Sequence, residues 1–195
     1  GGSCLLGSIN LAAFVEKPFT PFASFDYQSF INTVERAVNA LNDVLDEGMP
    51  LHPLKEQRNS VRKWRQIGLG IMGLADMLIM MGVEYGSSSA IELCDEIGIH
   101  LADTAIDASM TATKEIDVLS PDNYKDTGFF NYNCRYSKRT PISMKNSQLL
   151  TIAPTGTLST MLGISGGIEP IFANSYTRRT ESLHNKEVTY KVYTP

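Results

Sequence analysis

The sequence predicts a helix-rich α/β protein, and three observations carry that prediction. Apolar residues recur at three- and four-residue spacing from Tyr27 to Leu45, the period of an amphipathic helix. Short apolar runs at 67–71 and 149–153 are each followed by glycine or small residues and then by helical spacing, so a strand–loop–helix alternation recurs. Of the 195 residues, 43% are hydrophobic and 19% charged, with no low-complexity tract, which leaves enough apolar surface for a packed core. With a common domain near roughly 150 residues, the length corresponds to one domain or one large piece of one.

Taken in order, Cys4, Leu5, Leu6, Gly7, Ser8, Ile9, Asn10 and Leu11 form an apolar segment broken by small polar residues, suited to a short buried strand or loop. Pro18, Thr20 and Pro21 mark a turn. Tyr27, Phe30, Ile31, Val34, Ala37, Val38, Leu41, Val44 and Leu45 then make one helical stripe. Ser24 or Asp26 can cap it, and Gly48 followed by Pro50 ends it. A polar, basic stretch covers 55–66, ahead of a short buried strand at 67–71 and a helix at 73–81. Ser87, Ser88 and Ser89 offer a cap for a long helix reaching about Glu115, with Ile91, Cys94, Ile97, Leu101, Ala105 and Ala108 on its inner face. Residues 120–141 have no period and read as a long irregular connection. A buried strand at 149–153 then delivers the chain to Pro154, Thr155, Gly156, Thr157, Leu158 and Ser159.

Composition excludes several functions. A net charge of −4 supplies no basic field for binding nucleic acid polymers. Three cysteines, Cys4, Cys94 and Cys134, without a C-x-x-C spacing argue against a zinc ribbon or a secreted disulfide scaffold. His52, His100 and His184 are far apart, so a metal site built by this chain is not expected. No signal peptide is visible, and the apolar stretch 67–83 is too short for a membrane span and carries Asp76 in its middle. The expectation is a soluble, cytoplasmic protein that binds no membrane. The methionines Met72, Met77, Met80 and Met81 read as core packing.

Gly68-Leu69-Gly70-Ile71-Met72-Gly73 is a literal G-x-G-x-x-G, which could signal a nicotinamide-dependent oxidoreductase using Gly68, Gly70 and Gly73. The preceding Val61-Arg62-Lys63-Trp64-Arg65-Gln66 cannot be the buried strand such a motif requires, and no second strand ends in a ribose-binding acid. The favoured reading is that these glycines permit close contact between a strand and its neighbours.

The run at 154–158 has the physics of a phosphate site. Backbone N–H groups opening a helix lack internal partners, Thr155 and Thr157 add hydroxyl donors, and Gly156 lets an anion approach the backbone. An ordinary capped helix uses the same residue types, and spacing alone does not choose between the two. No Gly-Lys-Ser/Thr follows, so this is not a Walker loop.

Several separated motifs resemble one family in the same order. They are Cys4 to Leu11, the Ile67-Gly-Leu-Gly-Ile-Met-Gly-Leu-Ala-Asp76 run, Asn146-Ser147-Gln148 leading to Ala-Pro-Thr-Gly-Thr, Gly166-Gly167-Ile168-Glu169-Pro170, and Tyr176-Thr177-Arg178-Arg179. Together they resemble the catalytic subunit of ribonucleotide reductase, with only about 115–140 carrying no family pattern. The resemblance implies that residues 1–195 are an interior fragment of a ten-stranded α/β barrel domain. It further implies reduction of ribonucleotides to deoxyribonucleotides for DNA synthesis by thiyl-radical chemistry. In that chemistry a cysteine radical takes hydrogen from C3′, a glutamate acts as base, the 2′-hydroxyl leaves as water, and a cysteine pair ends as a disulfide.

By that resemblance Cys4 is one member of the reducing pair, while Pro154, Thr155, Gly156, Thr157 and Leu158 bind the substrate phosphates. The glycine-rich loop and the Ser-Gly-Gly-Ile-Glu-Pro run look most like the adenosylcobalamin-dependent class. The alternative is the class whose radical comes from a metal-containing partner subunit. Implied partners are the ribonucleotide, the remainder of the parent chain, an external dithiol of the thioredoxin type, and a second copy in a possible homodimer. No cofactor is expected on the fragment itself. The radical cysteine's Asn-x-Cys-x-Glu motif occurs nowhere in the sequence, so the isolated chain is expected to be inactive and to bind nucleotide weakly at most. Cys4 taken alone would also suit a structural thiol. Cys94 reads as packing and Cys134 receives no role. Glu169 suits either a buried structural carboxylate, the favoured reading, or a supporting group near the substrate. Arg178 and Arg179 could face phosphate, but a solvated or ion-paired couple beside Glu181 is favoured.

Overall fold

The computed structural model describes residues 4–111, 144–180 and 188–193. In chain order the elements are β1 (Leu5–Asn10), β2 (Val15–Glu16), β3 (Ser24–Phe25), α1 (Tyr27–Gly48), α2 (Lys55–Trp64), β4 (Ile67–Met72), α3 (Leu74–Met80), α4 (Ser88–Thr111), a short helix α5 (Gly156–Leu162), β5 (Ser175–Thr180) and β6 (Val188–Tyr193).

Strands β1 and β4 pair in parallel, from Leu5 opposite Ile67 to Asn10 opposite Met72. Alternation along each strand divides their side chains between two faces. Leu5, Ile9, Ile67 and Leu69 turn to the hydrophobic core, where they join Phe30, Val34 and Val38 of α1 and Ile97, Leu101 and Ala105 of α4. The opposite face carries Cys4, Leu6, Ser8, Gly68 and Gly70, and two of those five have no side chain.

The α1 helix forms where its period predicted, and of the two candidate caps Asp26 is used, its Oδ1 accepting the Ser29 N–H at 3.0 Å. In α4 the Ser87 hydroxyl accepts the Ala90 N–H at 3.2 Å. The expected inner face of α4 is corrected at one position. Ile91 is 62% exposed while Ala90 is buried, because Ala90 lies seven residues, nearly two turns, before Ile97. The extension toward Glu115, the connection at 120–141 and Cys134 lie outside the described residues. The polar stretch before β4 is the helix α2, closed by Arg65 in the left-handed region at φ 43°.

A second correction concerns the strand expected at 149–153. The Ile67 and Leu69 N–H groups donate to the Gln148 and Leu149 carbonyls, and the Thr151 N–H donates back to Leu69, but only Leu150 forms a bridge, parallel to Leu69. The Ala153 N–H turns back to the Thr151 carbonyl and Pro154 has no N–H to offer, so the ladder stops there.

The antiparallel pair β5–β6, Ser175 opposite Tyr193, was not anticipated. No closed barrel forms among the described residues. No helix among them is long and apolar enough to cross a membrane.

Candidate functional site

The small-residue face of β1 and β4 is where the predicted residues meet. A Cβ on Gly68 would lie 2.7 Å from Leu6 Cδ2, 3.0 Å from Cys4 Sγ and 3.1 Å from Thr151 Cβ. At Gly70 a Cβ would collide with the Thr151 carbonyl. These glycines sit inside a strand that is preceded by a helix, and they let segment 147–151 run against β4, which is the close-contact reading. Gly73 differs in role. It caps α3 in the left-handed region at φ 72°, where a Cβ would also meet Asn10 Oδ1 at 2.5 Å. Gly68 and Gly70 therefore do not form a turn over a pyrophosphate, and the nicotinamide reading finds no support in the geometry.

A cavity of about 460 Å³ is lined by Pro154, Thr155, Gly156, Thr157 and Leu158 together with Leu6, Gly7, Ser8 and Ala153. All five loop residues singled out from sequence thus share one cavity with the middle of β1. Cys4 is not in that lining, but it shares the β1 face of Leu6 and Ser8. Partial burial pushes the Cys4 thiol pKa up from its ordinary value, so at neutral pH the group is a thiol.

Within the loop the two threonines differ. Thr157 is exposed and Gly156 has open space around it, so both face the cavity freely. Thr155 is buried, and its Oγ1 accepts the Gly167 N–H at 2.9 Å. Through that bond Thr155 ties the loop to the Gly166–Gly167 turn while its own O–H remains a donor, and Thr155 still lines the cavity. Ser165 in that turn donates its N–H and hydroxyl to Asp76 Oδ2 at 2.7 and 2.6 Å. Asp76, Ser165 and Gly167 were not singled out as site residues. A signal existed, because a carboxylate within an apolar helix needs a paired donor.

Beyond α5 lies a larger cavity of about 540 Å³, whose lining includes Ser159, Thr160, Glu169, Tyr176 and Arg178. Glu169 is exposed there rather than buried, because its backbone turns out of the core with its N–H bonded to the Gly166 carbonyl. Arg178 donates to Thr160 Oγ1 at 3.2 Å in an exposed contact; Glu181, its expected neighbour, lies outside the described residues. Cys94 is half-buried against the core, as packing requires. Among the described residues no group of three or more His, Cys, Asp or Glu is placed to hold a metal ion.

The family model "Ribonucleotide reductase, barrel domain" matches residues 1–194. The chain is 36% identical over 176 residues to the vitamin B12-dependent ribonucleoside-diphosphate reductase of Thermoplasma acidophilum, covering 90% of this chain and 21% of that protein. It is 33% identical over 186 residues to the enzyme of the same name from Mycobacterium tuberculosis, covering 95% of this chain and 24% of that one. The class Id ribonucleotide reductase alpha subunit of Actinobacillus ureae shares the fold at a TM-score of 0.60 and 23% identity, over 88% of this chain and 28% of that chain. The chain thus spans a quarter or less of the length of these two curated relatives.

Proposed function

From the premise that the chain belongs to the ribonucleotide reductase barrel-domain family, we propose that it forms part of the catalytic barrel of a ribonucleoside-diphosphate or triphosphate reductase. Its own contribution is a loop for the substrate phosphates, Pro154, Thr155, Gly156, Thr157 and Leu158, and one redox thiol, Cys4. The carrying observation is the shared cavity, in which that loop faces Leu6 and Ser8 on the β1 face that begins at Cys4.

In this reading the exposed Thr157 hydroxyl and the loop N–H groups hold the phosphates, and Gly156 leaves them room. Thr155 also holds the loop in shape, its Oγ1 accepting the Gly167 N–H while its O–H is left to donate. Such anchoring places the ribose toward the β1 face that carries Leu6 and Ser8 and begins at Cys4. Cys4 with a second thiol supplies two electrons and two protons, the pair closes to a disulfide, and the 2′-hydroxyl departs as water. An external dithiol then restores the pair by exchange. The raised pKa of Cys4 suits a group that waits as a thiol.

The two B12-dependent relatives extend to the parent a requirement for adenosylcobalamin.

Titration with a ribonucleoside diphosphate, followed through backbone amide resonances, tests the loop. The expected result is weak binding on the order of 1 mM, with shifts concentrated at Gly156, Thr157, Gly7 and Ser8. Thr157→Ala should weaken it by about three- to tenfold. Shifts confined to 68–73, or none at 154–158 at saturating nucleotide, overturn the assignment. The chain alone with nucleotide and a dithiol should form no deoxyribonucleotide, and turnover would refute its role as one part of a larger catalytic unit.

A further inference from the structure

We propose that Asp76 is a positioning residue for the 154–158 loop, acting through Ser165 and Gly167 on Thr155. The inference rests on the reading of that loop as the phosphate site and adds a residue outside it.

Asp76 lies in the first turn of α3, among the buried Leu74, Ala75, Met77 and Leu78. A carboxylate in that setting is retained only where donors meet it. One oxygen, Oδ2, accepts both the N–H and the hydroxyl of Ser165, at 2.7 and 2.6 Å. The same Ser165 gives its carbonyl to the Gly73 N–H at 2.9 Å, so α3 grips this residue from both backbone sides and from its side chain. Three residues on, the Ile168 carbonyl accepts the Tyr85 hydroxyl at 2.6 Å. The turn between these anchors is set by Gly167 in the left-handed region at φ 50°, a conformation that glycine adopts without strain. That geometry aims the Gly167 N–H at Thr155 Oγ1, 2.9 Å away.

The direction of support follows from what each end is fixed to. Asp76 belongs to a helix whose buried residues are part of the main core, whereas Pro154, Gly156, Thr157 and Leu158 are exposed. Thr155 is the one buried residue among the five, and its hydroxyl oxygen accepts from the turn. Removing the carboxylate frees both Ser165 donors, loosens the turn and releases Thr155. Asp76 itself lies outside the lining of the loop's cavity and acts on it only through Ser165 and Gly167.

Amide hydrogen exchange on the whole chain, compared for wild type, Asp76→Ala, Asp76→Asn and Ser165→Ala, tests this directly. Asp76→Ala should speed exchange of the Gly167 N–H about tenfold while leaving the Leu69 and Thr151 N–H groups unchanged. Asp76→Asn keeps an oxygen acceptor and should restore most of that protection. Ser165→Ala, which removes one bond, should give an intermediate effect. In nucleoside diphosphate titrations, Asp76→Ala should weaken the response at Gly156 and Thr157 about tenfold, with Asp76→Asn within about threefold of wild type. Unchanged Gly167 exchange in both Asp76→Ala and Ser165→Ala overturns the proposal, as does an equal loss of protection at Leu69. If the wild-type loop shows no response to nucleotide, the phosphate reading fails while the exchange data still decide the link.

Discussion

At Gly70 a Cβ would collide with the Thr151 carbonyl and lie 3.5 Å from the Ile152 Cα, so the contact is with backbone that cannot step aside. Gly70→Ala should therefore cost about 1–3 kcal/mol by overpacking, read as a lower urea midpoint with an unchanged slope. A wild-type midpoint would mean that the segment after β4 is free to move away. Cys4 makes a separate residue-scale prediction. Burial raises its pKa, so at a given pH less of it is thiolate and it should be alkylated more slowly than free cysteine. Its labelling by iodoacetamide, followed by peptide mass spectrometry, should also climb at a higher pH than that of an unperturbed thiol. Faster labelling than free cysteine at pH 7.5 would contradict the buried-thiol description.

The α1 helix shows at the element scale why some of the fold was legible in advance. Phe30, Val34, Val38 and Leu45 are all buried, and their spacing alone announces a helix with one apolar face. Phe30, fully buried and in edge contact with Phe14 and Phe25, anchors that face. Phe30→Ala should cost about 3–5 kcal/mol in chemical denaturation, and a loss below about 1 kcal/mol would show that α1 is not seated on the core as described. The β5–β6 pair was not legible because its strands are largely exposed and mix charge with aromatic residues, leaving no clean apolar alternation. The strand at 149–153 was over-read for the opposite reason. Its apolar run is real, but Ile152 is half exposed and the backbone leaves the sheet after Thr151 to enter the loop. In the site, glycines and threonines marked the loop by composition. Asp76 and Ser165, 89 positions apart, meet only through the tertiary fold and could not be paired from spacing.

At the scale of the whole molecule, one polar joint locks distant parts of the chain together beneath the site. The buried Arg65 guanidinium forks onto Asp46 of α1 at 2.5 and 2.8 Å and reaches Asn42 Oδ1 at 3.3 Å. Asn146 bonds to Asn42, to the Arg65 carbonyl and to Ser109 of α4, just before its chain runs along β4 toward the 154–158 loop. The Arg65 guanidinium, through hydrogen bonds that outweigh the opposing burial, holds the Asp46 carboxyl below its ordinary pKa; Lys145 at 3.5 Å acts in the same sense. A lowered folded-state pKa stabilises the fold fully above the unfolded carboxylate value of about 3.9. That stability is lost as pH falls through the still lower folded value. Asp46→Asn should therefore lower stability at pH 7 by about 1–3 kcal/mol, a figure reduced because the Asp46 side chain is 40% exposed. The gap between the variant and wild type should shrink as pH falls below about 4, when the wild-type carboxyl begins to take up its proton. Urea midpoints measured at pH 7, 4 and 2 for both chains check this. Parallel midpoints across the range would mean that the charge of Asp46 contributes nothing. Because Asn146 rests on the same joint, loss of amide protection at Leu69 and Thr151 in Asp46→Asn would show that the joint also sets the path into the loop.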